Sequence, residues 1–213
     1  KRLSNKNMHL FNGKPLLFHI MHYYARHGFK NFYIALGYKG EIIKNFFNKK
    51  FLDWNINLIE TGKNTMTGGR LKRLTKHIGN ETFLMTYGDG LSNVNLKSLI
   101  KFHRKNKKLV TLTAVRPPAR FGALKLKGQR VSYFKEKSHL DEGWINGGFF
   151  VMEPEFLKSI KNDNTYLERE PLEKMTKKKQ LIAFRHKGFW QCMDTKRDKD
   201  NLEKTLRSKK IKF

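Results

Sequence analysis

The sequence is poor in acidic residues and has a single cysteine. Its 213 residues include 18 Asp and Glu against 45 Lys and Arg, which gives a formal net charge of +27. Because Cys192 is alone, an intramolecular disulfide framework is excluded. No apolar run approaches the roughly 20 residues that cross a bilayer, and no signal-peptide pattern opens the chain. We therefore predict a cytoplasmic protein without a membrane role.

The sequence signatures of several enzyme classes are also missing. The chain has no Walker A sequence, no G-x-S-x-G elbow and no H-E-x-x-H pair. The excess of positive charge favours anionic partners, which are nucleic acids, phosphorylated metabolites or membrane headgroups. The basic residues are dispersed, however, and no nucleic-acid-binding motif is recognisable. Nucleic-acid binding is therefore the weaker hypothesis, since only the net positive charge supports it.

The apolar pattern predicts strands that alternate with helices up to residue 115, so we expect an α/β fold with a doubly wound, mostly parallel, Rossmann-like sheet. After Pro117-Pro118 the pattern predicts a smaller mixed region, with a hairpin that turns at Gly128. We expect one domain, 1–213, whose first region covers 1–115 and whose second region covers 116–213. The predicted helices are 15–28, 40–53, 70–78, 95–106, 170–179 and a C-terminal polar helix. The predicted strands include 31–37, 56–61, 82–88, 109–115, 144–153 and paired strands, or a strand plus a loop, in 181–195.

A carboxylate, Asp89, follows the predicted strand 82–88 in the stretch "YGDG". Ligands of open α/β sheets bind at the carboxyl ends of the strands, where a carboxylate can hold Mg²⁺ beside phosphates. Asp-Gly is also a common turn pair, so a plain turn is the alternative. Asp194, which ends "FWQCMDT", would strengthen the metal hypothesis if it lies near Asp89.

A glycine pair in "MTGGRLKR" (66–73) precedes the predicted basic helix. Glycines let a ligand approach the backbone closely, and the N–H groups of a first helical turn favour an anion or a polar ring edge. The alternative is a loop followed by a solvated basic helix. Two further candidates have structural alternatives too. Glu136-Lys137 could face a hydroxyl and a phosphate or be an exposed pair, and Asn146 could bind a polyhydroxyl ligand or shape a bulge.

The order of these stretches closely resembles the sugar-1-phosphate nucleotidyltransferases, and within them the glucose-1-phosphate cytidylyltransferase branch. The resemblance runs from about Asn12 to Lys199 and implies a nucleotidyltransferase fold similar to GT-A. It implies a Mg²⁺-dependent reaction of CTP with glucose 1-phosphate, a homo-oligomer, and a product used for surface-polysaccharide deoxysugars. UTP or dTTP as the nucleotide stays an alternative. The stretches that carry the resemblance include "TGKNTMTGGRLKR", "FLMTYGDGL", "RFGALKL", "FKEK", "INGGFFVMEP", "EREPL" and "GFWQCMDTKRDK".

The resemblance also implies a role for each candidate residue. Asp89 and Asp194 would be the metal ligands, and Arg2, Lys6 and Lys137 would act with Asp89 in catalysis. The nucleotide would lie against Thr67, Gly68, Gly69, Arg70 and Gly88, and the sugar against Glu136, Lys137, Asn146 and Gly147.

The beginning of the chain departs from the family pattern. Family members open with a strand and a loop of the form G-G-x-G-T-R-L, followed shortly by P-K-P-M. Here Arg2-Leu3-Ser4 matches the end of that loop and Lys6-Asn7-Met8 matches K-P-M, while the strand and the glycines are missing. Either residues before Lys1 supply them in the full protein, or the chain is a truncated homologue that lacks a cradle for the triphosphate.

Overall fold

A computed structural model describes residues 6–48, 53–117, 123–135 and 143–208. The helices and strands alternate along the chain as far as Val115, as the sequence predicts. The helices are α1 Leu16–Arg26, α2 Gly40–Phe47, α3 Thr67–Arg73, α4 Thr75–Ile78, α5 Leu96–Asn106, α6 Glu170–Lys177 and α7 Lys196–Arg207. The strands are β1 Leu10–Phe11, β2 Lys14–Pro15, β3 Asn31–Leu36, β4 Asn55–Glu60, β5 Phe83–Thr86, β6 Gly90–Ser92, β7 Val110–Val115, β8 Ala123–Lys127, β9 Arg130–Lys135, β10 Ile145–Met152, β11 Leu181–Arg185 and β12 Trp190–Cys192.

The central sheet has the strand order β11-β7-β10-β5. Strand β7 runs parallel to β11, and β10 runs antiparallel to both β7 and β5. Three of the four strands therefore share one direction, and β10 is the exception. Strands β3 and β4 form a separate parallel pair. This mixed α/β arrangement confirms the predicted fold class. The sheet takes strands from both sides of residue 116, so it spans the boundary between the two predicted regions.

Helices cover both faces of the central sheet. Successive side chains of β10 point to opposite faces, and each set packs against a different group of helices. Phe149 and Val151 of β10 belong to a buried cluster that includes side chains of α1, α5 and α7. Phe150 and Met152 belong to a second cluster, which includes side chains of α3, α6 and the short 3-10 helix Pro154–Ser159. None of the helices in the described residues has the length and apolar character that crossing a bilayer requires.

Two predicted details are wrong. The helix predicted over 70–78 begins three residues earlier and is divided at Leu74 into α3 and α4, so the glycine pair lies inside a helix and not before it. Of the two alternatives for 181–195, strands that pair with each other are not found, since β11 joins β7 and β12 joins β6. The hairpin β8–β9 does turn at Gly128, which has a φ of +60°.

Candidate active site

Two short antiparallel strands bring the two candidate metal ligands together. Cys192 of β12 pairs with Gly90 of β6, and one residue beyond this pair the Met193 N–H donates to the Asp89 carbonyl oxygen at 2.8 Å. Asp89 precedes β6 and Asp194 follows β12, so the strand register places both carboxylates at one end of the pair. The antiparallel pairing of two segments that are far apart in sequence thus creates the acidic site.

Lys6 lies between the two carboxylates. Its Nζ is 3.6 Å from Asp89 Oδ2 and also forms an ion pair with Asp194 Oδ1. Burial raises the pKa of Asp89, Lys6 opposes that shift, and the neighbouring charge of Asp194 adds to it. One described ammonium thus contacts both carboxylates. Both carboxylates are also reachable from solvent, with exposed side-chain fractions of 35% and 46%.

A cleft of about 190 Å³ opens beside these carboxylates. Its wall combines the β6–β12 pair with the end of β5 and the glycine-interrupted stretch of β10. The Trp190 indole N–H donates to the Gly147 carbonyl at 2.7 Å, which joins the two walls. The lining residues are Tyr87, Asp89, Gly90, Asn146, Gly147, Gly148, Phe149, Trp190, Cys192 and Asp194.

The glycine pair of β10 forms a bulge that lines this cleft. The pairing register of β10 with β7 shifts between Asn146 and Phe150, and the Asn146 side-chain oxygen accepts the Gly148 N–H at 2.9 Å. Gly148 has a φ of +76°, and a Cβ there would lie 2.6 Å from the Tyr87 ring. A Cβ at Gly147 would lie 2.9 Å from the Thr113 carbonyl oxygen. Asn146 therefore shapes a bulge, as its structural alternative proposed, and this bulge belongs to the cleft wall.

The glycines of α3 allow a close contact between this helix and the loop 162–167. The Gly68 and Gly69 N–H groups both donate to the Thr165 carbonyl oxygen, at 2.9 and 3.2 Å. A Cβ at Gly69 would overlap the Asp163 backbone, and one at Gly68 would lie 2.7 Å from Thr165 O. The predicted free N–H groups at this helix start are thus already hydrogen-bonded, because the loop 162–167 packs directly against them.

Arg70 fixes α3 to the ends of the parallel pair β3–β4. Its Nη1 donates to Leu36 O at 2.9 Å and to Thr61 Oγ1 at 2.8 Å, while Nη2 donates to Lys63 O at 3.3 Å. Burial lowers the pKa of this guanidinium, and the charge of Arg73 lowers it further. This group, to which the family resemblance assigns a role in supporting the nucleotide, thus also supports the carboxyl ends of two strands.

The structure unites some of the predicted site residues and leaves others outside the site. Lys6, Asp89 and Asp194 meet, and Asn146 and Gly147 line the same cleft. Gly88 approaches Asn7, whose Nδ2 would lie 2.7 Å from a Cβ at that glycine. Thr67 to Arg70 do not line this cleft. Arg2, Glu136 and Lys137 fall outside the described residues.

Sequence reasoning missed Tyr87 and Trp190, although each stands within four residues of a predicted carboxylate. Tyr87 comes two residues before Asp89, and Trp190 comes four residues before Asp194. An aromatic residue next to a candidate metal ligand at a strand end was the available signal. Glu168 was missed too, and only its presence in the family-like stretch "EREPL" pointed to it.

The donor set suits a hard divalent cation that completes its shell elsewhere. Mg²⁺ is usually held by one or two carboxylates together with substrate phosphates and water, and here two carboxylates already share a cation. Among the residues that the structure describes, no three His, Cys, Asp or Glu side chains converge to hold a metal ion. The pair Asp89 and Asp194 therefore fits a substrate-assisted metal site better than a closed one.

Comparison with known proteins gives the site its context. The sequence profile of the family described as Nucleotidyl transferase matches residues 1–195. The chain belongs to this family. Nucleotidyl transferases typically use a divalent metal, which agrees with the paired carboxylates.

Two relatives illustrate how much of the chain this likeness covers. The glucose-1-phosphate cytidylyltransferase of Salmonella typhimurium is 44% identical over 221 residues, which cover 93% of this chain and 86% of that protein. The probable glucose-1-phosphate cytidylyltransferase of Bacillus subtilis is 40% identical over 89% of this chain and 83% of its own length. The recognised resemblance is thereby confirmed, and so is nucleotidyltransferase as the class of enzyme.

Solved structures support the fold. HddC from Yersinia pseudotuberculosis superposes with a TM-score of 0.75 at 22% identity, covering 95% of this chain and 90% of that one. A putative glucose-1-phosphate thymidylyltransferase from Bacillus anthracis superposes with a TM-score of 0.74 at 14% identity, covering 99% and 89%. At these identities the likeness concerns the fold alone.

Proposed function

We propose that this nucleotidyl transferase moves the cytidylyl group of CTP to glucose 1-phosphate and releases CDP-glucose and pyrophosphate. The observation that carries the proposal is the meeting of Asp89 and Asp194 around Lys6, in the cleft that also contains the Asn146–Gly148 bulge. The choice of substrates is supported by the names of the relatives that are 44% and 40% identical.

The reaction needs positioning and charge neutralisation more than covalent help. A phosphate oxygen of the sugar phosphate forms a bond to the α-phosphorus of CTP, and the bond from that phosphorus to the β-bridging oxygen breaks as pyrophosphate leaves. Mg²⁺ held by Asp89 and Asp194 would neutralise phosphate charge during this exchange. Lys6 places a further positive charge beside the same carboxylates.

The remaining assignments extend this proposal to the rest of the chain. In it, the nucleotide meets Gly88 and the segment Thr67 to Arg70, and Arg2 contacts the triphosphate. Lys137 meets the sugar phosphate, while Glu136, Asn146 and Gly147 face the sugar. We further propose a cytoplasmic homo-oligomer without a specific nucleic-acid partner, built from one domain with a nucleotide-binding region (1–115) and a sugar-binding region (116–213). Use of the product for surface-polysaccharide deoxysugars stays a prediction.

The test is a product assay with the complete gene product, including any residues that precede Lys1. Glucose 1-phosphate and Mg²⁺ are supplied with CTP, UTP, dTTP or GTP in separate reactions, and the nucleotide sugar and pyrophosphate are quantified. We expect kcat/KM for CTP to exceed the others by at least about tenfold, a threshold well below the discrimination that a site built to hydrogen-bond one substrate can provide. A higher value for another nucleotide would refute the choice of CTP. No nucleotide sugar from any of the four would refute the reaction.

A further inference from the structure

Glu168 holds two segments together that share no strand or helix. Its Oε1 accepts the hydroxyl proton of Tyr87, and its Oε2 accepts that of Thr67 at 2.8 Å. These partners lie 81 and 101 residues away in sequence. On a chain with 45 Lys and Arg, this carboxylate forms no ion pair within the described residues and bonds two hydroxyl groups instead. Hydrogen bonds to an ionised acceptor are about twice as strong as neutral ones.

Tyr87 connects Glu168 to the cleft wall. Its ring lies against the backbone of Gly148 closely enough to exclude a Cβ there, and it packs edge-on against Phe150 with 5.8 Å between ring centroids. The Tyr87 hydroxyl donates to Glu168, and this bond fixes the ring that supports the Asn146–Gly148 bulge.

Thr67 connects the same carboxylate to α3. Its hydroxyl oxygen accepts the Leu167 N–H at 2.9 Å, which leaves the hydroxyl proton for Glu168. Thr67 is the first residue of α3 and is followed by the two glycines that pack on the loop 162–167. A displacement of the Thr67 side chain would therefore shift the Glu168 carboxylate, which also positions Tyr87.

We propose that Glu168 is a positioning residue, which couples the nucleotide side of the site at Thr67 to the sugar side at the Asn146–Gly148 bulge. This inference rests on the proposed function for the identity of the two ligands. Glu168 accepts both hydroxyl protons at once, so a ligand that moves either hydroxyl also changes the geometry on the other side. A ligand that favours this doubly bonded arrangement favours the arrangement that the second ligand meets, and the coupling is reciprocal.

Binding measurements on the complete protein test the coupling directly. The affinity for a non-hydrolysable CTP analogue is measured by calorimetry, with Mg²⁺, in the absence and presence of saturating glucose 1-phosphate. We expect the sugar phosphate to tighten analogue binding by about 5- to 20-fold in the wild type, a usual size for such coupling. In Glu168→Ala and in Tyr87→Phe the factor should fall to about two or less.

Three further variants sharpen the test. Glu168→Gln should retain an intermediate factor, because one carboxamide oxygen can still accept a hydroxyl proton. Tyr87→Phe combined with Glu168→Ala should be no worse than either change alone, since both break the same connection. Glu173→Gln, at an exposed position on α6, is the matched control and should keep the wild-type factor. Thermal unfolding of each variant checks that the fold is intact.

Three outcomes would overturn the inference. The first is a wild type whose analogue affinity ignores glucose 1-phosphate. The second is a Glu168→Ala variant that keeps the wild-type factor. The third is a variant with weaker analogue binding but an unchanged factor, since Glu168 would then support α3 alone. Failure of the proposed function is separate, because a wild type that makes no CDP-glucose refutes the reaction, whereas a wild type that makes it but shows any of these outcomes refutes only the coupling.

Discussion

Asp89 and Asp163 both lie beside a basic side chain, yet the structure shifts their pKa values in opposite directions. Burial raises the pKa of Asp89 despite the nearby Lys6. Hydrogen bonding by Arg73 lowers the pKa of Asp163. Asp89 belongs to the carboxylate region (Lys6, Asp89 and Asp194), and Asp163 belongs to the α3 region (α3 with the loop 161–168). The two regions therefore use charge differently.

The difference lies in what the charged groups contact. In the carboxylate region Lys6 contacts two carboxylates that both line the cleft. In the α3 region each basic side chain has an acceptor within the chain: Arg70 bonds Leu36 O and Thr61, Lys72 bonds Lys161 O, and Arg73 bonds Asp163. The α3 charges thus also hold the fold in place, while the two carboxylates line the cleft. Substitution of Asp89 should therefore affect catalysis, and substitution of Gly69 or Arg70 should affect stability.

The largest effect is expected for Asp89→Asn. The amide keeps the size and much of the hydrogen bonding but removes the charge that a metal needs. Loss of one preorganised electrostatic contact costs about 3–4 kcal/mol of transition-state stabilisation, so kcat should fall by about 10²–10³-fold. Steady-state assays with increasing Mg²⁺ measure this loss, and excess metal should restore it only partly.

Asp200→Asn, at an exposed position on α7, is the control and should leave kcat unchanged. If Asp89 is only a turn residue, Asn is one of the best replacements because it tolerates the same turn conformations. Near-normal turnover of a folded Asp89→Asn protein would therefore remove the metal role and leave the turn.

The next largest effect is expected in the α3 region, for Gly69→Ala. The added methyl group would overlap the Asp163 backbone, and overpacking of this kind lowers the free energy of unfolding by about 1–3 kcal/mol. Denaturation by urea measures it. Gly143→Ala, where a Cβ meets no described atom within 4 Å, is the control. Equal stability of the two variants would show that the loop 162–167 moves freely away from α3.

A smaller loss of stability is expected for Arg70→Ala. Thr61 and the Lys63 carbonyl each lose a charge-assisted donor, while Leu36 O keeps hydrogen bonds from the Thr61 N–H and hydroxyl. We expect the free energy of unfolding to fall by about 1–2 kcal/mol, toward the low end of the scale for hydrogen bonds to charged groups because Arg70 is only partly buried. Lys76→Ala, exposed on α4, serves as the control. A variant as stable as the wild type would contradict the structural role of Arg70.

These two regions also mark how far the sequence could predict the molecule. The alternation of strands and helices and the glycines around Asp89 were sufficient for the fold class and for one candidate ligand. The start of α3 was not predictable, because it depends on the carbonyl oxygen of Thr165 and on the Leu167 N–H. The contacts of Glu168 were not predictable for the same reason, since hydrogen bonds between distant segments leave no local sequence pattern. Short-range patterns predict elements, whereas the partners of a polar group follow from the packing of the whole chain.

The smallest effect concerns stability against pH, and its sign should differ between the two regions. The pKa of Asp89 is raised above the ordinary 3.8 in the folded protein, so the charged form is disfavoured there. The stability that this group contributes is complete below its unfolded pKa and is lost as the pH rises through the folded pKa. Metal-free Asp89→Asn should therefore unfold at a slightly higher temperature than the wild type at pH 7.

Asp163→Asn provides the opposite case. Because Arg73 lowers the pKa of Asp163 below the ordinary 3.8, its contribution is present above the unfolded pKa and is lost as the pH falls through the folded pKa. This variant should unfold at a lower temperature than the wild type at pH 7. Thermal unfolding in EDTA between pH 7 and about pH 3 should show both differences shrinking toward zero. Shifts of the same sign at pH 7 would mean that Lys6 stabilises the Asp89 charge as fully as Arg73 stabilises that of Asp163, and the contrast between the two regions would then fail.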